Sequence, residues 1–157
     1  MSCDVQRPRR RNARPAGIAL LAAVVALPVH AALGGSEASV ETDRQKIDGT
    51  QRVLQAAAYS VHEMQAPSGT VVREFVSPEG LVFGVAWQGP SMPDLRQVLG
   101  SYFDRYVNAA AQRKARGPVM IEQPGLVVQS SGHMRAFTGR AYIPEALPPG
   151  VGVDSIK

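Results

Sequence analysis

The chain of 157 residues holds one cysteine, one tryptophan and three histidines, and only 19% of it is charged. The lone cysteine is Cys3, so neither a disulfide framework nor a zinc or haem site built on paired cysteines can form. The sequence contains no P-loop, no Rossmann glycine pattern, no HExxH, no CxxC and no EF-hand loop, which sets aside the nucleotide and metal chemistries that depend on them. No apolar run reaches the roughly 20 residues that a stable spanning helix needs. The length excludes a (β/α)₈ barrel, and a composition 45% hydrophobic excludes a wholly disordered chain.

What is present begins with charge. Arg7, Arg9, Arg10, Arg11 and Arg14 crowd the start with one acid, Asp4, and an uncharged run follows from Ala16 to Leu27. Pro28 then breaks the run before Val29-His30-Ala31. A basic stretch, a short apolar stretch and a small-x-Ala end predict a cleavable secretory signal over 1–31, cut between Ala31 and Ala32. The residues after Arg9-Arg10-Arg11 are not apolar, which favours the general secretion route over the twin-arginine one. No cysteine follows the apolar run, so a lipid-anchored mature N-terminus is excluded.

The formal charge of +4 changes meaning once the chain is divided there. Five of the seventeen basic residues and one of the thirteen acids precede Ala32, leaving twelve of each. The basic surplus belongs to the leader, and no nucleic-acid partner follows from it. The processed chain is neutral and cysteine-free, has no transmembrane segment, and must hold its fold by core burial alone.

Beyond the leader, residues 32–56 form an N-terminal segment with a possible short helix from Ser39 to Ile47, where Val40 and Ile47 stand one heptad apart. A single α+β domain is expected over 57–143 and an irregular tail over 144–157. Within the domain, Ala66-Pro67-Ser68-Gly69 and Ser77-Pro78-Glu79-Gly80 share one grammar. Proline presets φ for a type I turn, and glycine takes the left-handed position that follows. The flanking segments 59–65, 70–76 and 81–88 then make an antiparallel meander. Its turns set Val61 against Phe75, Phe75 against Phe83 and Val71 against Trp87. Tyr59, Val61, Val71, Phe75, Leu81, Phe83, Val85 and Trp87 would share one apolar face.

A helix is expected to cover that face. Ser91-Met92-Pro93-Asp94 resembles a capping box, and Leu95, Val98, Leu99, Tyr102, Phe103, Tyr106 and Val107 form a wide apolar stripe at helical spacing. Arg113-Lys114-Ala115-Arg116 suits a helix C-terminus, with Gly117-Pro118 as the stop; the same basic cluster is a candidate phosphate or lipid patch. Val119–Glu122, Leu126–Ser130 and His133–Tyr142 read as further strands, with turns at Pro124-Gly125 and Ser131-Gly132. The expected fold is an antiparallel meander of five to six strands packed by one main amphipathic helix.

Two groups of residues invite chemistry. In the expected register His62 faces Glu74, Glu63 faces Arg73, and Gly84 lies opposite Glu74 with room above it. A His–carboxylate pair beside a glycine gap suits a general base or half a metal site. Cross-strand ion contacts on a half-exposed face use the same residues. His62 and Glu63 point to opposite faces of one strand and cannot both be ligands without a bulge. Ser130, Ser131 and His133 supply a nucleophile type and a base type, but no G-x-S-x-G elbow frames them, and His133 is expected to begin a strand.

Tyr59-Ser-Val-His-Glu-Met-Gln65, Pro67-Ser-Gly-Thr-Val-Val-Arg-Glu-Phe-Val76, Val85-Ala-Trp-Gln-Gly-Pro-Ser-Met-Pro-Asp-Leu95, Leu99-Gly-Ser-Tyr-Phe103 and Ser131-Gly-His-Met-Arg-Ala-Phe-Thr-Gly-Arg-Ala-Tyr142 carry a resemblance. With the start Ala31-Ala-Leu-Gly-Gly35, they resemble an exported proteobacterial family, the domain of unknown function numbered 2844. The resemblance implies a Gram-negative envelope and hence the periplasm, and it brings no catalytic residues. The expectation is a small periplasmic or secreted protein without cofactor or metal, acting as a binding or accessory protein for an envelope protein or small ligand. The alternatives are a hydrolase-like or metal-assisted enzyme using His62 with Glu74 and His133, and a secreted factor attached to an outer-membrane assembly.

Overall fold

A computed structural model describes residues 32–38, 40, 45, 50–114 and 117–157. The expected leader over 1–31 lies outside the described residues, as do Ala115 and Arg116 of the basic cluster. Of the expected helix over Ser39–Ile47, Val40 and Gln45 are described; both are helical, like Glu37 and Ala38 just before them.

Seven antiparallel strands form one sheet: β1 (Thr50–Gln55), β2 (Ser60–Gln65), β3 (Val71–Val76), β4 (Val82–Gly89), β5 (Val119–Gln123), β6 (Leu126–His133) and β7 (Ala136–Tyr142). Their order is β1-β2-β3-β4-β7-β6-β5. The count exceeds the five to six expected because Thr50–Gln55 also pairs, as an edge strand on β2. That strand is almost wholly exposed, so no buried alternation marks it in the sequence. After β4 the helical segment carries the chain to the far edge, and β5, β6 and β7 return stepwise to pair with β4.

Both Pro-x-Gly turns form as the sequence predicts. Ala66 N donates to Thr70 O and Ser77 N to Leu81 O, each at 2.9 Å. Gly69 and Gly80 sit at φ 85° and 80°, the left-handed region that favours glycine. The β2–β3 register matches expectation, with Val61 opposite Phe75. The β3–β4 register does not. Val76 pairs with Val82 as the turn dictates, but Phe75 then pairs with Gly84, so Phe83 is an extra, bulged residue. Beyond the bulge Val72, not Val71, faces Trp87.

A one-residue shift moves every later side chain to the other face, and the single apolar layer expected from sequence becomes two. Val85 and Trp87 join Met64, Val72, Val76 and Val82 beneath the helix. Phe75 and Phe83, with Tyr59 and Val61, build a second core on the opposite face. There Tyr59, Phe75 and Phe83 pack as an aromatic trio, with ring centroids 5.9–6.2 Å apart. Every residue from Val82 to Trp87 is buried, as a central strand covered on both faces requires.

The main helical segment is broken in two. α1 (Leu95–Leu99) is capped by Asp94, whose side chain accepts from Arg96 N at 2.9 Å. Ser91 has a different task from the expected cap: its oxygens bond Thr70 Oγ1 at 2.8 and 2.9 Å, fastening the loop to the β2–β3 turn. At Gly100 the backbone turns to φ 51°, a single 3-10 turn follows, and α2 (Phe103–Ala111) resumes. The apolar stripe packs on the sheet through Leu95, Val98, Leu99, Tyr102, Phe103 and Tyr106, while Val107 stays 41% exposed.

The segment 144–157 covers the second face. It carries two 3-10 turns, Pro144–Ala146 and Val153–Ser155. Leu147, Val151 and Val153 pack against the aromatic trio's core, and Ile156 is fully buried. Ile156 fills the space left by Gly84, where an added Cβ would lie 2.9 Å from its δ-carbon. The layers are therefore helix, sheet and tail.

Candidate functional site

β2 and β3 bring His62 and Glu74 face to face, as the turn grammar predicts. They point toward the helical layer and are 7% and 1% exposed. The glycine expected beside them is not there: Val85 lies opposite Glu74, and Gly84 opens on the other face, filled by Ile156. Gln51 of β1 reaches His62 Nδ1 through its amide nitrogen at 3.0 Å. The other ring nitrogen, Nε2, is 3.5 Å from Glu37 Oε1. Among the described residues, no three or more His, Cys, Asp or Glu side chains converge to hold a metal ion.

Glu63 and Arg73 lie on the opposite face of the same two strands, as alternation requires. Glu63 is the centre of an ion triad: Oε1 meets Arg52 Nε and Oε2 meets Arg73 Nε, both at 2.7 Å. Burial pushes this carboxyl up, but hydrogen bonds and charge from Arg52 and Arg73 outweigh it and hold the group below its ordinary value. Arg73 also donates to the Lys157 carbonyl at 3.3 Å, tying the tail to the sheet. These are structural contacts.

His133 does not begin a strand; it ends β6, opposite Ala136. The hairpin loop is Met134-Arg135, with Arg135 at φ 64°, and the expected Ser131-Gly132 turn lies inside β6 instead. Gly132 is required there by close approach, since an added Cβ would meet the Phe137 α-carbon at 2.7 Å. Four strand steps separate β6 from β2, or roughly 19 Å at ordinary strand spacing. His133 therefore cannot join His62 and Glu74, and the five candidates divide among two sheet faces and a remote hairpin.

The structure places a different feature at the other end of the sheet. A cleft of about 440 Å³ opens where β4, β7, β6 and β5 meet the tail. One row of cross-strand partners, Trp87, Gly139, Ser130 and Val119, runs through it. Arg140 contributes the guanidinium, oriented by Gln129 Oε1 at 2.8 Å and the Val153 carbonyl at 2.8 Å. Met120 supplies exposed apolar surface, Ser131 and Thr138 supply hydroxyls on the tail side of the sheet, and Trp87, Gly139, Ser130 and Val119 line the cleft along the strands. Trp87 is 1% exposed, and its Nε1 has no hydrogen-bond partner among the described residues. The charged side chains lining the cleft are Arg140 and Lys157, both cationic. Sequence reasoning missed this site. Its one signal was a glycine inside a strand, Gly139, which marks close approach by another group.

The fold and its clefts define a class first: a seven-stranded antiparallel α+β domain with helices over one face and its own C-terminal segment over the other. The family model described as "Protein of unknown function (DUF2844)" matches residues 29–156, and the chain belongs to that family. No match was found among curated proteins or among solved structures. No described helix is long and apolar enough to cross a membrane.

Proposed function

We propose that this chain is an exported, periplasmic binding protein of a Gram-negative cell envelope, holding a small molecule in the cleft beside Trp87 without transforming it. The cleft carries the reading. It has the size of a small-molecule site, with apolar walls and a few placed polar groups. Its cationic side chains, Arg140 and Lys157, favour an anionic head, and the exposed Met120 suits an apolar body. Export is supported by the basic-apolar-small pattern of 1–31. The non-catalytic part is supported by the dispersal of the polar candidates: His62 and Glu74 are buried on one face, and Glu63 is consumed by two arginines on the other.

Trp87 is the only tryptophan and is among the residues lining the cleft, so its selectively excited emission is a local reporter for ligand entry. Titration of the mature chain with decanoate, an amphipathic carboxylate, should give a saturable change in Trp87 emission. Met120→Glu, which adds a negative charge at a wall residue that is 60% exposed, should weaken the binding at least ten-fold. An emission that is flat to millimolar decanoate, and to decanol as the neutral counterpart, would remove the cleft as a ligand site.

A further inference from the structure

The four residues after the expected cleavage point are structural. Ala32 and Leu33 are 2% and 1% exposed, and Leu33 belongs to the core beneath the helices. Their backbone is pinned on two sides. Leu33 N donates to Val98 O on α1 at 3.2 Å, and Gly34 N donates to Val82 O on β4 at 2.8 Å. Val82 N returns a bond to Gly35 O at 2.9 Å. The segment is threaded between the helix and the central strand.

Gly100 makes the seat. The helix breaks there, at φ 51°, and any side chain at that position would collide with the Ala32 Cβ. Gly34 is equally constrained: an added Cβ would lie 2.8 Å from the Tyr102 ring. Ala32-Leu-Gly-Gly35 and Leu99-Gly-Ser-Tyr102, distant in sequence, are thus two halves of one contact.

A leader peptidase must bind the chain extended and unpaired on both sides of the bond it cuts, and a protease reaches a structured segment only when it opens locally. Ala32 and Leu33 cannot occupy the fold and a peptidase groove together. We infer that this fold closes its own processing site: docking of Ala32–Gly35 against Gly100 withdraws the Ala31–Ala32 bond from the peptidase. The order of events is then set. Water hydrolyses that amide in a membrane-bound endopeptidase, leaving a carboxylate on Ala31 and an ammonium on Ala32, before the segment docks. A precursor that completes its fold first keeps its leader. This inference rests on the export reading above.

The test uses full-length precursor in non-ionic detergent with purified leader peptidase. Precursor refolded before mixing should be cleaved at least ten-fold more slowly than precursor diluted into the assay directly from urea. Gly100→Val, which cannot seat Ala32, should be cleaved at the rate of the urea-diluted chain. Val128→Ala, a core truncation on β6 that leaves the seat intact, should stay slow. Equal rates for folded and urea-diluted wild type would overturn the inference while leaving export standing. Absence of cleavage at 31–32 in the urea-diluted chain would remove both. Hydrogen exchange gives a readout independent of the variants: the Leu33 and Gly34 amides of the mature chain should be protected, and exchange at free-peptide rates would overturn docking.

Discussion

The six-membered ring of Trp87 lies across Gly139, occupying the place where any side chain at that position would have to stand. The two residues are direct cross-strand partners on β4 and β7. Glycine is needed here for space, since Gly139 is absent from the positions with positive φ. Gly139→Ala should therefore destabilise the domain by about 1–3 kcal/mol through overpacking. It should also shift Trp87 emission, because relief requires the indole to move. Urea unfolding followed by fluorescence measures both effects.

The tail is a structural layer. Ile156→Ala empties the space over Gly84 and should cost about 2–4 kcal/mol. Ile156→Ala combined with Gly84→Ala should recover part of that loss, because the new methyl enters the vacated volume. A double-mutant cycle with a negligible coupling energy would show that the tail is not packed there.

The Arg52–Glu63–Arg73 triad gives the domain an acid limb. Two guanidinium groups hold the Glu63 carboxyl below its ordinary value of 4.5. The stabilisation is fully present above the unfolded pKa and is lost as pH falls through the lower folded one. Glu63→Gln should cost on the order of 1 kcal/mol at neutral pH. Its stability should vary less than wild type as pH falls below about 4.5. Melting temperatures measured from pH 7 to pH 2 for both proteins test this.

His62 and Glu74 carry the competing enzymatic reading. If the domain is a binding protein without a metal, millimolar Zn²⁺ should leave its melting temperature unchanged. A rise that His62→Ala abolishes would establish a metal site and overturn the non-catalytic reading.

Much of this was legible because local chemistry decided it. The Pro-x-Gly loops need a left-handed glycine at Gly69 and Gly80, and that need placed His62 opposite Glu74 and Glu63 opposite Arg73. The bulge at Phe83 was not legible, because nothing in Val82-Phe83-Gly84 demands an extra residue; the aromatic trio and Ile156 on the second face do. The break at Gly100 was hidden for a similar reason. The apolar spacing of Leu95 to Tyr106 continues across it, and the glycine is explained by its φ of 51° and the seat for Ala32, both of which appear only in the fold. The Met134-Arg135 loop was missed because a non-glycine takes the left-handed position, while the nearby Gly132 is used for close packing. The cleft assembles from four strands and the tail, and no single stretch of sequence contains it.

Export is the claim on which the periplasmic reading stands, and one mass decides it. The protein should be isolated from the periplasmic fraction of a Gram-negative cell expressing the full chain, and its intact mass and N-terminal peptide determined. The account predicts a polypeptide beginning at Ala32 and lacking Cys3. A chain that retains Met1 and fractionates with the cytoplasm would contradict it.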